Sequence, residues 1–422
     1  MVDQRRIDDQ RWVDAPTAAN HLGISVRSLY AYVSRGQVRS VPGEHGRPRL
    51  YALADLERLR VRRDARAGHG AVAAGALRWG EPVLDSAITA ITPRGPAYRG
   101  KLAVDLAASE TPFENVAELL WSGYLPETRV AWPRGPIPHA QLARLVGADA
   151  ASPLDIMPLL VHIAALADRE RDDARPDALI ACGRRLIPLL AAALAPGFVA
   201  AAVTRALGAG SVAEIAARAM GLSDEQAPVL NTVLVLLADH ELNASSFTAR
   251  IAASTDAGPY ACVMAALATL SGPKHGTASE PVARFAAMVG SPEAARAQVR
   301  ALRKRGEVPP GFGHPIYPGG DPRARPLLDA AARLPLAKHA RTLFAIVEAT
   351  TDALPNVDMG LAALTAALGV PSAVGPGLFA VARAAGWLAH ALEQRAAGHL
   401  LRPRARYTGV PVMPVMPVMP IR

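Results

Sequence analysis

Four short polar patches interrupt a chain otherwise dominated by alanine, leucine and arginine: ADHELNASSF at 238–247, SGPKHG at 271–276, PPGFGHPIYPGGDPR at 309–323 and PNVD at 355–358. Together they supply three histidines, several carboxylates and an arginine in irregular backbone. Such a set can run acid–base chemistry on an anionic substrate. A lone histidine more often satisfies a local hydrogen bond than it reacts. Four such patches on one chain are harder to explain as packing.

Other chemistries find little support. H-E-x-x-H, C-x-x-C, G-x-S-x-G and Walker patterns do not occur in the sequence. Gly311-Phe-Gly313 follows two prolines and not a strand, so it is not half of a dinucleotide fingerprint. Asp239, His240 and Glu241 would point about 100° apart on a helix and would not converge on one ion. No metal and no bound cofactor is expected. Cys182 and Cys262 are far apart in sequence, which fits a reducing compartment better than a disulfide framework.

The elements that must position these patches read as helices. Aromatics make up only 5% of the 422 residues, and alternating apolar runs of useful length are missing, so an all-α body is expected. Candidate helices are 159–169, 177–194, 211–220, 227–240, 259–270, 292–304, 326–334, 338–352 and 376–393, separated mostly by Pro, Gly or Asn. The uncharged runs 186–203 and 359–382 approach membrane-spanning length. Internal Pro and Gly make each of them two buried helices meeting at a turn, so no membrane contact is expected. The polar start MVDQRRIDDQ has no secretory pattern. A soluble cytoplasmic protein follows as the expectation. Residues 64–80, rich in Ala and Gly, read as a linker. The thrice-repeated Val-Met-Pro at 412–420 reads as an extended tail, since proline every third residue forbids a helix.

The formal net charge is +9, and residues 1–68 hold 13 Arg, no Lys and 8 acidic residues, so over half of the excess lies at the N-terminus. There Thr17 to Val33 has the layout of two helices joined at Gly23. Ala18, Ala19, Leu22, Leu29 and Val33 would face inward, and Ser25 would cap the second helix. Arg27, Ser28, Tyr30 and Tyr32 would project from that helix. Arg47 and Arg49 would lie on a basic hairpin wing. This stretch of about 50 residues resembles the MerR or excisionase-type winged helix-turn-helix, including the Arg-Leu-Tyr and Asp-Leu that close its wing. The resemblance implies duplex DNA as a partner of residues 1–63, through Arg27, Ser28, Tyr30, Arg47 and Arg49.

The four polar patches, in order and wording, resemble the citrate synthase family, whose DHE-x-N-x-S, GP-x-HG, GFGH…DPR and PNVD segments all recur. ARAAGWLAH at 382–390 and RPRARYTG at 402–409 match its closing segments. The resemblance spans roughly residues 80–410. It implies a two-domain helical fold: a large domain from 81–276 and 366–410, a small domain from 277–365, then the tail 411–422. It also implies condensation of acetyl-CoA with oxaloacetate and hydrolysis of the citryl-thioester, the acyl-CoA being a co-substrate. Asp358 matches the family's base, His275 the group that hydrogen-bonds the thioester oxygen, and His314 the one that polarises the ketone. His240, Arg323 and Arg383 match groups that hold oxaloacetate. Arg402 matches an arginine supplied by the neighbouring subunit, so a homodimer is implied. His390 and Trp387 read as packing residues.

The chain departs from the family's pattern at Leu237, where many relatives carry a second His. It departs again at Pro315 and Pro318, where basic residues are usual, and at Lys274, where an apolar residue is usual. Two other functions stay open from sequence. One is a 2-methylcitrate synthase using propionyl-CoA, which differs by one methylene. The other is a DNA-binding regulator whose body senses a carboxylate or acyl-CoA.

Overall fold

The computed structural model describes residues 12–34, 37–43, 48–53, 55–56, 59, 84–133, 152–173, 175–195, 197, 199–403, 405 and 409. The expected linker at 64–80, the Val-Met-Pro tail and Arg47 lie outside them. The chain divides into two compact units, Met1–Asp85 with Pro403–Arg422, and Ser86–Arg402.

In the first unit, strand β1 (Trp12–Val13) precedes helices α1 (Ala15–Leu22) and α2 (Val26–Ser34), followed by β2 (Ser40–Val41) and β3 (Leu50–Ala52). The strands pair antiparallel in the order β1-β3-β2. Asp14 Oδ1 accepts from Thr17 N at 2.9 Å and starts α1. Gly23, at φ 58°, ends it in the left-handed conformation that glycine adopts without a Cβ clash. Ser25 Oγ accepts from Ser28 N at 3.2 Å at the start of α2. Ala18, Leu22, Leu29, Val38, Tyr51 and Leu56 form one buried cluster.

The second unit opens with a meander of β4 (Thr89–Thr92), β5 (Gly95–Tyr98) and β6 (Lys101–Leu102), paired antiparallel in that order. The expectation of an all-α chain is therefore corrected: the fold is mostly helical and carries two small sheets. These strands are too short, and β5 too rich in Gly and Pro, to show an alternating pattern in sequence. Thr92 sets their turn, donating from Oγ1 to Gly95 O at 2.8 Å and accepting from Arg94 N.

The helices that follow are α3 (Ala103–Ala108), α4 (Phe113–Ser122), α5 (Pro153–Ala167), α6 (Pro176–Ala192), α7 (Ala200–Leu207), α8 (Val212–Ala219), α9 (Ala227–Leu237) and α10 (Ala244–Ala253). Then come α11 (Pro259–Leu270), α12 (Ser279–Val289), α13 (Pro292–Lys304), α14 (Ala324–Ala332), α15 (Lys338–Ala349), α16 (Val357–Ala367) and α17 (Val374–Ala397). Both long apolar runs are helix pairs, α6 with α7 and α16 with α17, although Pro188 lies inside α6 and not at its end. Among the described residues no helix is long and apolar enough to cross a membrane.

Helix α17 is buried over most of its length and packs against α6, α9, α10 and α11. A helix apolar on all sides belongs at the centre of a core. At Gly386 it comes so close to the end of α9 that an added Cβ would stand 2.3 Å from Asp239 Oδ1 and 2.7 Å from Ala238 O. This contact decides where α9 stops. Tyr98 Oη lies 3.0 Å from Val235 O, Arg383 Nε donates to Leu237 O at 2.9 Å, and Gly386 N donates to Ala238 O at 3.1 Å. These donors satisfy carbonyls that a helix C-terminus leaves open. Helix α9 thus ends at Leu237, short of the expected residue 240, and His240 sits in the turn beyond it.

Candidate active site

All the groups of the site lie within the second unit. In the turn after α9, His240 is buried and its Nε2 stands 2.9 Å from Tyr317 Oη. Its ring is also edge-on to His314, with centroids 5.7 Å apart. Burial, reinforced by Arg323 and Arg383, holds the His240 imidazole well below its usual value, so it is neutral near pH 7. Asp239 beside it is fully buried, with Oδ1 3.3 Å from His390 Nε2. Burial opposes its charge, but His390 and Arg383 overcome that and keep its carboxyl below the usual range.

Two asparagine caps aim the next groups. Asn243 Oδ1 accepts from Ser245 N and Ser246 N, both at 3.1 Å, and starts α10. Ser245 Oγ is then placed 2.8 Å from His275 Nε2, 2.8 Å from Asn243 Oδ1 and 3.0 Å from Trp387 Nε1, whose N–H donates to it. His275 stands edge-on to Phe379 at 6.2 Å. Burial, then Arg383, pushes its imidazole down to about 4. Asn356 Oδ1 accepts from Asp358 N at 3.0 Å and Met359 N at 3.3 Å and starts α16. Asp358 therefore lies in the first turn of that helix and is not its cap. Burial pushes its carboxyl up to about 6, only partly offset by Arg323.

The loop carrying His314 is laced to the segment carrying Asp358. Phe312 pairs with Pro355 in an antiparallel bridge. Gly313 N donates to Leu354 O at 2.8 Å, Asn356 N to Gly311 O at 2.9 Å, and Asn356 Nδ2 to Gly313 O at 3.0 Å. Gly311 adopts φ 88°, and a Cβ there would meet Met359 and Val282 at 3.0 Å. Ile316 N donates to His314 Nδ1 at 3.1 Å. Burial and Arg323 keep this ring below its usual value, so the neutral tautomer carries its proton on Nε2.

The two buried arginines differ. Arg323 makes a two-pronged contact with Asp321, Nε to Oδ1 at 3.0 Å and Nη2 to Oδ2 at 2.9 Å. Asp321 also accepts from Val357 N, which ties this pair to the start of α16. Arg383 makes no ion pair with a carboxylate among the described residues. Its Nε takes Leu237 O, its guanidinium lies 4.6 Å over the Phe379 ring, and its Nη2 is buried with no hydrogen-bond partner. Burial lowers its pKa to about 10. A buried, under-paired guanidinium is chemically suited to pair with an anion.

The structure thus gathers His240, His275, His314, Arg323, Asp358 and Arg383. Arg402 is exposed, with no hydrogen bond or ion pair among the described residues. Tyr317, Asp321, Ser245 and Asn243 were passed over from sequence, although all four stand inside the polar patches. Trp387, expected to be a packing residue, is buried and also donates its indole N–H to Ser245. In the first unit, Arg27, Ser28 and Tyr30 are exposed along α2, and Arg49 is exposed with Nη2 3.0 Å from Ser40 Oγ.

A helical body that gathers three histidines, two buried arginines and a carboxyl of raised pKa defines an acid–base active site suited to an anionic substrate. The family model described as "Citrate synthase, C-terminal domain" matches residues 76–404. Citrate synthase 2 of Bacillus subtilis is 32% identical over 336 residues, covering 72% of this chain and 88% of its own. A 2-methylcitrate synthase of Mycobacterium tuberculosis is 30% identical over 360 residues, covering 78% of this chain and 89% of its own. The citrate synthase of Thermoplasma acidophilum, solved as a ternary complex with carboxymethyl coenzyme A and oxaloacetate, shares the fold at TM-score 0.67. It is 23% identical and covers 80% of this chain and 96% of its own. The chain belongs to the citrate synthase family.

Proposed function

We propose that this enzyme condenses acetyl-CoA with oxaloacetate and hydrolyses the citryl-thioester to citrate and CoA. The observation that carries this reading is Arg383: a buried guanidinium with an orphaned Nη2 beside two neutral histidines calls for a carboxylate. Arg323, held in its fork by Asp321, offers a second cation. Oxaloacetate has two carboxylates and one ketone. With the carboxylates on the arginines, His240 and the Nε2–H of His314 face the ketone oxygen.

Asp358 is the base. Raised to about 6, it is ionised at neutral pH and stronger than an ordinary carboxylate. It takes a proton from the thioester methyl group while His275 hydrogen-bonds the thioester oxygen, stabilising the enolate that forms. Trp387 N–H donates to Ser245 Oγ at 3.0 Å, and Ser245 Oγ donates to Asn243 Oδ1 at 2.8 Å. Ser245 Oγ, 2.8 Å from His275 Nε2, thereby fixes the orientation of the imidazole that meets the thioester. The enolate carbon bonds to the ketone carbon, His314 donates to the developing alkoxide, and water then cleaves the thioester to release CoA.

Propionyl-CoA is the second reading, because a 2-methylcitrate synthase matches the chain almost as well as a citrate synthase does. A homodimer, with Arg402 completing the neighbour's site, and a cytoplasmic location belong to the same proposal. For residues 1–63 the reading is a winged helix-turn-helix that meets duplex DNA. Support comes from Arg27, Ser28 and Tyr30 exposed on α2 and from the paired strands behind it.

Thiol release by purified protein, with oxaloacetate and either acetyl-CoA or propionyl-CoA, tests the chemistry. Faster release with acetyl-CoA is expected. Faster release with propionyl-CoA selects the second reading, and no release with either defeats both. Salt-dependent binding of duplex DNA, weakened by Arg27→Ala, tests the first unit; its absence in low salt removes the DNA reading.

A further inference from the structure

We infer that Tyr317 is the positioning residue of the oxaloacetate pocket, its hydroxyl fixing which nitrogen of His240 carries the proton and its ring seating His314 and Arg323. The inference rests on the reading of the site given above and adds to it a residue whose side chain touches three of its groups. The phenol oxygen stands 2.9 Å from His240 Nε2, the ring lies 4.8 Å from the His314 ring, and Arg323 Cζ sits 5.8 Å over its face.

Tyr317 is only 4% exposed, and its hydroxyl has no other hydrogen-bond partner among the described residues. A buried O–H needs an acceptor. His240 Nε2 is the one in reach, so Tyr317 donates and His240 must carry its own proton on Nδ1. Burial keeps both groups in the forms this requires, pushing the Tyr317 phenol up to about 12 and the imidazole down. No hydrogen bond among the described residues occupies His240 Nδ1, so that N–H remains for a substrate oxygen. His314 is fixed in the opposite tautomer by Ile316 N. The two imidazoles thus present Nδ1–H and Nε2–H, two donors for one oxyanionic substrate. Pro315 and Pro318 bracket Tyr317 and limit the backbone freedom of its loop.

Tyr317→Phe keeps the ring and removes only the hydroxyl. It is expected to raise KM for oxaloacetate about tenfold, as for loss of a buried hydrogen bond, with KM for the acyl-CoA unchanged within about twofold. A second variant, Tyr317→Leu, also removes the ring; kcat is expected to fall as well, because His314 and Arg323 lose their seat. An unchanged oxaloacetate KM in Tyr317→Phe overturns the inference. Equal rises in both KM values with a lowered Tm overturn it too, since they mark a packing role. Wild-type protein that neither binds oxaloacetate nor releases thiol defeats the reading of the site itself. Active wild-type protein matched by Tyr317→Phe defeats this inference alone.

Discussion

Arginines in two regions of this chain serve opposite purposes. In the first unit Arg39 and Arg49 are exposed and held by local partners: Arg39 forks Asp55 at 2.8 and 3.0 Å while remaining 54% exposed, and Arg49 rests on Ser40. In the second unit Arg323 and Arg383 are almost fully buried, and Arg383 lacks a carboxylate among the described residues. An exposed arginine is stabilised by water and gains little from any one partner. A buried one is destabilised until a partner arrives, and that deficit becomes binding energy for the ligand that supplies it. The net charge of +9 says nothing of this difference, because the arginines that matter for chemistry are few and inside.

The sharpest way to break this contrast is at the base. Asp358→Asn keeps the shape of the side chain and removes the proton acceptor. Turnover is expected to drop by about 10²–10⁴-fold in a thiol-release assay, with oxaloacetate still bound. Retention of near-full activity would remove Asp358 from the mechanism.

The pH dependence comes next. Asp358 must be ionised, so kcat/KM is expected to rise with pH through about 6 and then level; His275, at about 4, is already neutral across that range. The sign for stability is opposite. Because the folded value lies above the ordinary 3.8, the folded state holds the proton longer than the unfolded chain. The Asp358 contribution is therefore most favourable below pH 3.8 and is lost as pH rises to about 6. An activity limb near 4 would show that the carboxyl is not buried in solution.

A smaller effect is expected at Trp387→Phe, which removes one donor to Ser245 and so loosens His275 without touching substrate. A few-fold fall in kcat, with KM for oxaloacetate unchanged, is expected from steady-state kinetics. The smallest effect belongs to the exposed region. Arg39→Ala breaks the contact with Asp55, and thermal unfolding is expected to show a loss of about 1 kcal/mol or less, with turnover unaltered. A large loss of turnover there would erase the distinction between the two units.

Much of the site was legible because the patches announce themselves: Gly, Pro, His and Asp in a row cannot continue a helix, and a helical body has few places for them. The helix pairs within both apolar runs were legible for the same reason. Less legible were features that depend on tertiary contact. Helix α9 stops at Leu237 because Tyr98, Arg383 and Gly386 take its last carbonyls, and those partners lie about 140 residues away. The β4–β6 meander is too short to show a period. Trp387 looked like core because its single N–H reveals a function only when Ser245 is seen beneath it. Tyr317 was in plain view in the sequence, but a phenol in a histidine-rich loop carries no signal until its neighbours are placed.

The central claim is that the unpaired guanidinium inside the body takes a carboxylate of oxaloacetate. It is tested most directly by titrating oxaloacetate into wild-type protein and Arg383→Met while following thermal unfolding. Wild-type protein should gain about 2.7 kcal/mol at a ligand concentration a hundredfold above Kd, and the variant should remain folded and gain little at the same concentration. Equal stabilisation of both proteins by oxaloacetate would contradict the account.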